Sequence, residues 1–209
     1  MTTPQPVGFA ATDDSEELAR AEVYGLLAAL FYAPPSAEMH AQFQVAVTAA
    51  PVAGGFLEAA WGDLVGAARR LGREQIAREF DRLFQAVGKP EIFLYGSFYI
   101  AGRLNEKPLV ALRHTLRELG IARNDAVSET EDHIASVCEV MRYLIAGDDV
   151  ATSKLATQRR FFGAHLRPWV GGLCDAIEAH PDADFYAALA RFARDFFAVE
   201  EQAFDLLDS

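Results

Sequence analysis

The clearest helical pattern in the chain lies at residues 128–146, which read SETEDHIASVCEVMRYLIA. Apolar residues recur there at intervals of three and four, the spacing that places side chains on one face of an α-helix. That face consists of Ile134, Val137, Cys138, Met141, Leu144 and Ile145. Ser128 and Glu131 have the spacing of a capping box, so we expect the helix to run from Glu129 to Ala146.

The same periodicity extends over most of the chain on both sides of this segment. Further helices are predicted at residues 13–33, 36–50, 56–65, 76–87, 109–119, 154–179 and 183–207, with a break near Pro168. No alternating pattern of the kind that marks a β-strand has a useful length. The sequence therefore predicts an all-α fold, a single globular domain of roughly eight to nine helices.

Residues 88–108 interrupt the helical pattern and are predicted to form a long loop, or hinge, that joins two helical subregions. The segment has prolines near both ends, two internal glycines and several aromatic residues, and one short helical turn fits within it. Connections of about 20 residues are uncommon in compact domains and often carry function. A hinge that merely packs explains the segment equally well. Residues 1–12 are predicted to be a disordered tail before the helical domain at residues 13–209.

The composition indicates a folded protein with an acidic surface. Of the 209 residues, 51% are hydrophobic and 23% are charged, which is the ordinary globular range. Nineteen basic and thirty acidic side chains give a formal net charge of −11. This charge repels nucleic acid and anionic lipid and attracts cationic segments. We therefore expect a cationic partner and no nucleic-acid partner.

Cysteine content and the N-terminal sequence indicate a cytoplasmic protein. Cys138 and Cys174 are the two cysteines, and their spacing suggests neither a disulfide framework nor a thiolate zinc site. Residues 1–11 lack the basic start and apolar run of an export signal. The uncharged run at residues 23–37 contains two prolines and is too short to cross a bilayer, so no stable membrane insertion is expected.

The motifs of common enzymes are absent from the sequence. It contains no phosphate-binding loop, no dinucleotide fingerprint, no His-Glu-x-x-His and no nucleophile elbow. It also lacks Glu-x-x-His, which a helical di-iron site requires twice. We therefore predict no catalytic residue, no metal site and no cofactor, and the scattered histidines are most simply structural.

One cluster of polar residues has two possible explanations. On the predicted helix, Glu129 and His133 lie one turn apart beside the apolar face, while Asp132 points toward solvent. The acids could simply stabilise the positive end of the helix dipole. Alternatively, the cluster could form an acidic rim that grips a peptide with basic and apolar residues.

A known family has several motifs that this sequence shows in the same order. Its signature Glu-Pro-x-Asp-His-Ile-Ala, with a later Met, is matched by Glu129, Asp132, His133, Ile134, Ala135 and Met141. Its other motifs are matched by Arg82-Leu83-Phe84, by Tyr95-Gly-Ser97-Phe-Tyr99, by Pro108, and by Phe162, His165, Leu166 and Trp169. From about Asp13 to Phe204 the chain thus resembles the TorD/DmsD/NarJ redox-enzyme maturation chaperones. It departs from them at Thr130, where Pro is usual, and at Gly96, where Glu is common.

The resemblance implies a TorD-like cytoplasmic chaperone that is not an enzyme. Such a protein binds the twin-arginine signal peptide and the apo form of a molybdoenzyme catalytic subunit, delays export and assists cofactor insertion. Residues 104–108 and 138–141 resemble members associated with formate dehydrogenase. The implied state is a monomer or a domain-swapped homodimer.

The implied peptide site combines the acidic cluster with the loop. Glu129 and Asp132 would face the arginines, and His133 would donate to peptide carbonyls or orient a carboxylate. The loop would contribute Leu94, Tyr95, Ser97 and Tyr99. Two alternatives remain: a helical scaffold or assembly module without signal-peptide specificity, and a weak nucleotide-binding protein.

Overall fold

The computed structural model describes residues 12–48, 57–85, 89–122, 128–147 and 154–206. Within these ranges the chain forms ten helices and no strand. They are α1 (Thr12–Tyr32), α2 (Ala37–Val45), α3 (Glu58–Arg70), α4 (Arg73–Phe84), α5 (Gly96–Ala101), α6 (Lys107–Glu118), α7 (Ile134–Ala146), α8 (Leu155–His165), α9 (Val170–Glu178) and α10 (Phe185–Leu206). The predicted all-α fold is confirmed.

The predicted number of eight to nine helices is too low because the segment at 88–108 contains α5. The break near Pro168 is confirmed, since it separates α8 from α9. Ser36 caps α2, with its Oγ accepting a hydrogen bond from the Met39 amide at 3.1 Å. Most of the predicted tail lies outside the described residues, but Thr12 already belongs to α1.

The core forms around α1, α7 and α10. Helix α1 packs along α7, and α10 packs against α3, α4 and α9. The predicted apolar face of α7 is buried along its whole length, and Tyr24, Leu27 and Phe31 of α1 are buried as well. Each such side chain removed from water contributes roughly 1.5–3 kcal/mol to folding.

Helices α1 and α7 run antiparallel. Gly25 lies opposite Arg142, and Tyr32 lines a cavity together with Glu129 and His133, just before α7. A Cβ atom at residue 25 would lie 3.0 Å from Cδ of Arg142. Glycine at this position therefore leaves room for the arginine stem to lie across α1.

A buried ion pair joins α1 to α10. Arg20 donates two hydrogen bonds to the carboxylate of Glu200, at 2.7 and 2.9 Å, and Tyr24 donates a third at 2.9 Å. The side chain of Glu200 is almost fully buried. Burying a carboxylate is costly unless its oxygens are hydrogen-bonded, and these three bonds meet that requirement.

The first turn of α10 is capped by Glu79 of α4. Its carboxylate accepts hydrogen bonds from the amides of Asp184, Phe185 and Tyr186 at 2.8–3.1 Å. These amides have no partner within their own helix, so Glu79 satisfies donors that burial would otherwise leave unpaired. The contact fixes α4 against α10.

None of the helices in the described ranges has both the length and the hydropathy to cross a membrane.

Candidate functional site

The segment before α7 is not helical: residues 131–132 form a turn, and His133 makes an isolated antiparallel bridge with Tyr95. The helix begins at Ile134, and His133 is its N-cap, with Nδ1 accepting from the Ala135 amide at 3.2 Å. The amide of Ile134 donates to the Leu94 carbonyl at 2.8 Å, and the amide of Gly96 donates to the Asp132 carbonyl at 2.9 Å. The predicted start at Glu129 is therefore wrong, because the backbone pairs with the chain before α5 instead of forming a helical turn.

The predicted capping box does not form either. The hydroxyl of Ser128 donates to the carboxylate of Glu129 at 3.3 Å. Glu131 instead receives hydrogen bonds from the guanidinium of Arg113 on α6, at 2.8–3.0 Å. Both residues are thus engaged with other side chains, and the first turn of α7 is capped by His133.

Asp132 fastens the N-terminus of α5 to the start of α7. It is 5% exposed, so the prediction that it points toward solvent is wrong. One carboxylate oxygen accepts from the Ser97 amide at 2.9 Å and from the Ser97 hydroxyl, and the other accepts from the Thr130 hydroxyl at 2.6 Å. All of these donors are in the protein itself, so Asp132 is already satisfied by its neighbours.

His133 is buried and neutral. Because its Nδ1 accepts the Ala135 hydrogen bond, the ring proton is assigned to Nε2. Burial lowers the pKa of His133 to about 4. Its ring packs edge-to-face against Tyr95, with the ring centroids 5.1 Å apart. The residue can donate a hydrogen bond from Nε2 but does not supply a positive charge near neutral pH.

Glu129 lies where a small cavity meets a larger groove. The hydroxyl of Tyr95 donates to its carboxylate. Glu129 and Tyr32 line both the cavity, of about 60 Å³, and the groove, of about 550 Å³. The two spaces therefore share one wall, and a carboxylate stands at their junction.

The groove runs between α1 and α7 and reaches the residues after α6. Its lining is mostly apolar and includes Ala28, Leu116, Ile121, Ala135, Val140 and Tyr143. Its volume is in the range of pockets that bind drug-sized ligands, and apolar grooves of this kind also bind peptide segments. Apolar side chains at this surface would be removed from water when such a segment binds.

Three carboxylates line the groove, and they differ in their partners. Glu131 is paired with Arg113, and Glu139 is paired with Arg142 at 2.8 Å. The partners of Glu129 within the described residues are the hydroxyls of Tyr95 and Ser128. Among the described residues, Glu129 is thus the carboxylate of the groove that has no neighbouring cation to balance its charge.

The loop residues expected at the site lie in different environments. Leu94 and Ser97 are buried, and Tyr99 stacks on Trp169 with the ring centroids 5.9 Å apart. Tyr95 is the loop residue that contacts Glu129, and desolvation raises the pKa of its hydroxyl. The structure thus brings Tyr95, Glu129 and His133 together. Leu94, Ser97 and Tyr99 instead contribute to the packing that holds the loop in place.

The groove itself was missed by the reasoning from sequence. Its open ends carry Tyr32 and Tyr143, which are 48% and 46% exposed. A local signal for one wall does exist, because Ser136, Val140 and Tyr143 form a second stripe beside the buried face of α7. The other wall cannot be assigned without knowing that α1 packs there.

The two departures from the family motifs have structural explanations. A Cβ atom at Gly96 would lie 3.0 Å from the indole ring of Trp169, so a larger residue would displace that ring. Thr130 provides a hydroxyl donor to Asp132 that proline lacks. Both residues therefore fit their present neighbours.

The residues of the site are suited to binding a ligand. Within the described ranges no group of three His, Cys, Asp or Glu side chains is placed to hold a metal ion. What the residues do provide is an apolar surface, one carboxylate and a neutral histidine donor. This combination suits a ligand with an apolar part next to a cation.

Comparison with known proteins identifies the family. The family model described as nitrate reductase delta subunit matches residues 54–175, which is more than half of the chain. The chain is 27% identical to proteins named chaperone protein TorD from Vibrio cholerae serotype O1, strains El Tor Inaba N16961 and Classical Ogawa 395. Each alignment spans 204 residues and covers 90% of this chain and 93% of the relative. The chain therefore belongs to the nitrate reductase delta subunit family, the non-enzymatic TorD/NarJ group of redox-enzyme maturation chaperones.

Proposed function

We propose that the chain binds the twin-arginine signal peptide of a molybdoenzyme catalytic subunit in the groove between α1 and α7. The observation that carries this proposal is the apolar groove of about 550 Å³ with Glu129 at one end. A twin-arginine leader is a basic pair followed by an apolar stretch. The groove complements the apolar stretch, and the carboxylate complements the arginines.

The charges of the site and of the whole chain support this partner. An arginine binds a carboxylate through two parallel, charge-assisted hydrogen bonds, which are stronger than neutral ones. Glu129 can accept them because its partners among the described residues are uncharged hydroxyls. The net charge of −11 attracts a cationic peptide over a longer distance.

Bound in this way, the leader would be hidden from the export machinery while the catalytic subunit is still without its cofactor. The chaperone would act in the cytoplasm, and formate dehydrogenase is the proposed client enzyme on the resemblance of residues 104–108 and 138–141. The apo form of the subunit would be held through the leader and released for export after cofactor insertion.

The proposal is tested by titrating the protein with a synthetic twin-arginine leader peptide. Replacing Glu129 with Gln should weaken binding by about 10- to 100-fold, because a charge-assisted hydrogen bond contributes roughly 1.5–3 kcal/mol. Glu118→Gln is the matched control, since Glu118 is 61% exposed on α6 and does not line the groove. We expect it to leave the affinity unchanged.

A second peptide checks the specificity. Its two arginines are replaced by alanines, and we expect it to bind much more weakly and with little dependence on salt. Equal affinity for the two peptides would contradict the proposal and favour a helical scaffold without signal-peptide specificity.

A further inference from the structure

We infer that the groove accepts its peptide in one direction, with the basic residues at Glu129 and the following apolar stretch running along α7 toward Tyr143. This inference rests on the proposed function, because it assumes that a leader peptide occupies the groove. It adds a polarity to that binding: the peptide runs parallel to α7 and antiparallel to α1.

The two ends of the groove carry different charges. At the end near α5, Glu129 is held by hydroxyl groups. At the far end the groove is lined by Arg142 and Tyr143. The cationic end of a peptide is attracted to the Glu129 end of the groove. It gains no attraction at the Arg142 end, because Glu139 already has an arginine partner there.

Arg142 is held in place at the far end. Its Nη2 lies 2.8 Å from the carboxylate of Glu139, and its stem crosses α1 where Gly25 leaves space. The guanidinium of Arg142 therefore neutralises the charge of Glu139, which could otherwise attract the arginines of a peptide bound in the reverse direction. This gives Arg142 a role in orienting the ligand.

The stretch between the two ends is mostly apolar and of suitable length, and the acid within it, Glu139, is paired with Arg142. On α7 it extends from Ala135 to Tyr143, with Val140 between them, and α1 adds Ala28 and Ala29. Eight helical steps of 1.5 Å correspond to about 12 Å. A short apolar stretch directly after the arginines fits this distance.

The direction can be read from a spin label on the peptide. The probe is a synthetic peptide with two arginines followed by about eight alternating Ala and Leu residues, which as a helix span about 12 Å and so match the groove. A nitroxide is attached either before the arginines or after the last Leu, and amide signals of the isotope-labelled protein are recorded by NMR. The native cysteines are buried and need no replacement.

We expect the label before the arginines to broaden the signals of Ala135 and Ser136 more strongly than those of Tyr143 and Ala146, and the label at the other end to do the opposite. The reverse pattern, or equal losses at both ends from either label, would overturn the proposed direction while leaving the binding itself intact. No loss from either label, together with no heat of binding, would overturn the proposed function as well.

A charge reversal at the far end tests the role of Arg142. In Arg142→Glu, the label before the arginines should also weaken the signals near Tyr143, because the far end then offers carboxylates without a cation. Arg191→Glu is the matched control: Arg191 is exposed on α10, does not line the groove, and should leave the pattern unchanged. An unchanged pattern in a folded Arg142→Glu protein would overturn the orienting role of Arg142.

Discussion

Replacing Asp132 should destabilise the protein far more than replacing Glu129, although stabilisation of the same helix end was one explanation for both. Asp132 is 5% exposed and accepts hydrogen bonds from the amide and hydroxyl of Ser97 and from the hydroxyl of Thr130. Asp132→Ala leaves these donors unpaired at a buried site. Each bond to a charged acceptor contributes roughly 1.5–3 kcal/mol, and partial entry of water reduces the total to about 3–5 kcal/mol.

The stability loss of Asp132→Ala can be compared with that of Glu129→Ala, which should be much smaller. Glu129 is half-buried and accepts from Tyr95 at the edge of the groove, so Glu129→Ala should cost about 0.5–1.5 kcal/mol. Urea unfolding followed by circular dichroism measures both values. A double-mutant cycle of Asp132→Ala with Ser97→Ala should show a coupling of about 1–3 kcal/mol. If Asp132→Ala lowers the free energy of unfolding by less than about 1 kcal/mol, the acid serves only the helix dipole. The conclusion that Asp132 fastens α5 to α7 is then refuted.

Three further variants test other parts of the structure. Because burial lowers the pKa of His133 from 6.5 to about 4, the unfolded chain binds the proton more tightly, and about 3 kcal/mol of stability should be lost as the pH falls from 6.5 to 4. His133→Asn, which can still cap α7, should remove that part of the pH dependence in urea titrations. Glu79→Ala should lower the free energy of unfolding by roughly 1–2 kcal/mol, since α10 loses its cap, and an unchanged urea midpoint would contradict this role. Gly96→Glu should cost about 1–3 kcal/mol by displacing Trp169, which a shift in tryptophan fluorescence would report.

The fold was predictable from sequence because its signals are local. The buried face of α7 follows from the spacing of Ile134, Val137 and Met141, and helix breaks follow from residues such as Pro168. The start of α7 was not predictable in the same way. Local capping rules favoured Ser128, whereas the structure uses backbone pairing with residues 94–96, and such pairing leaves no trace in a local pattern.

The candidate site was predictable only in part, for the same reason. The family motif directs attention to Glu129 and His133, and both lie at the cavity beside the groove. It also includes Asp132, whose hydrogen-bonding capacity is used within the protein. The groove depends on the antiparallel packing of α1 on α7, so a pairing such as Tyr32 with Glu129 becomes visible only when the two helices are placed together.

The ion pair between Arg20 and Glu200 has a consequence for how the chain is made. The two residues are 180 positions apart, so at roughly 5–20 residues per second the ribosome adds Glu200 about 10–40 s after Arg20. During that time Arg20 and Tyr24 lack their carboxylate partner, and α1 lacks its packing against Phe196 and Phe197. A nascent chain stalled before residue 200 should therefore remain protease-sensitive in its first helix. Completion of the core, and with it the groove on α1, is thus delayed until Glu200 has been added to the chain.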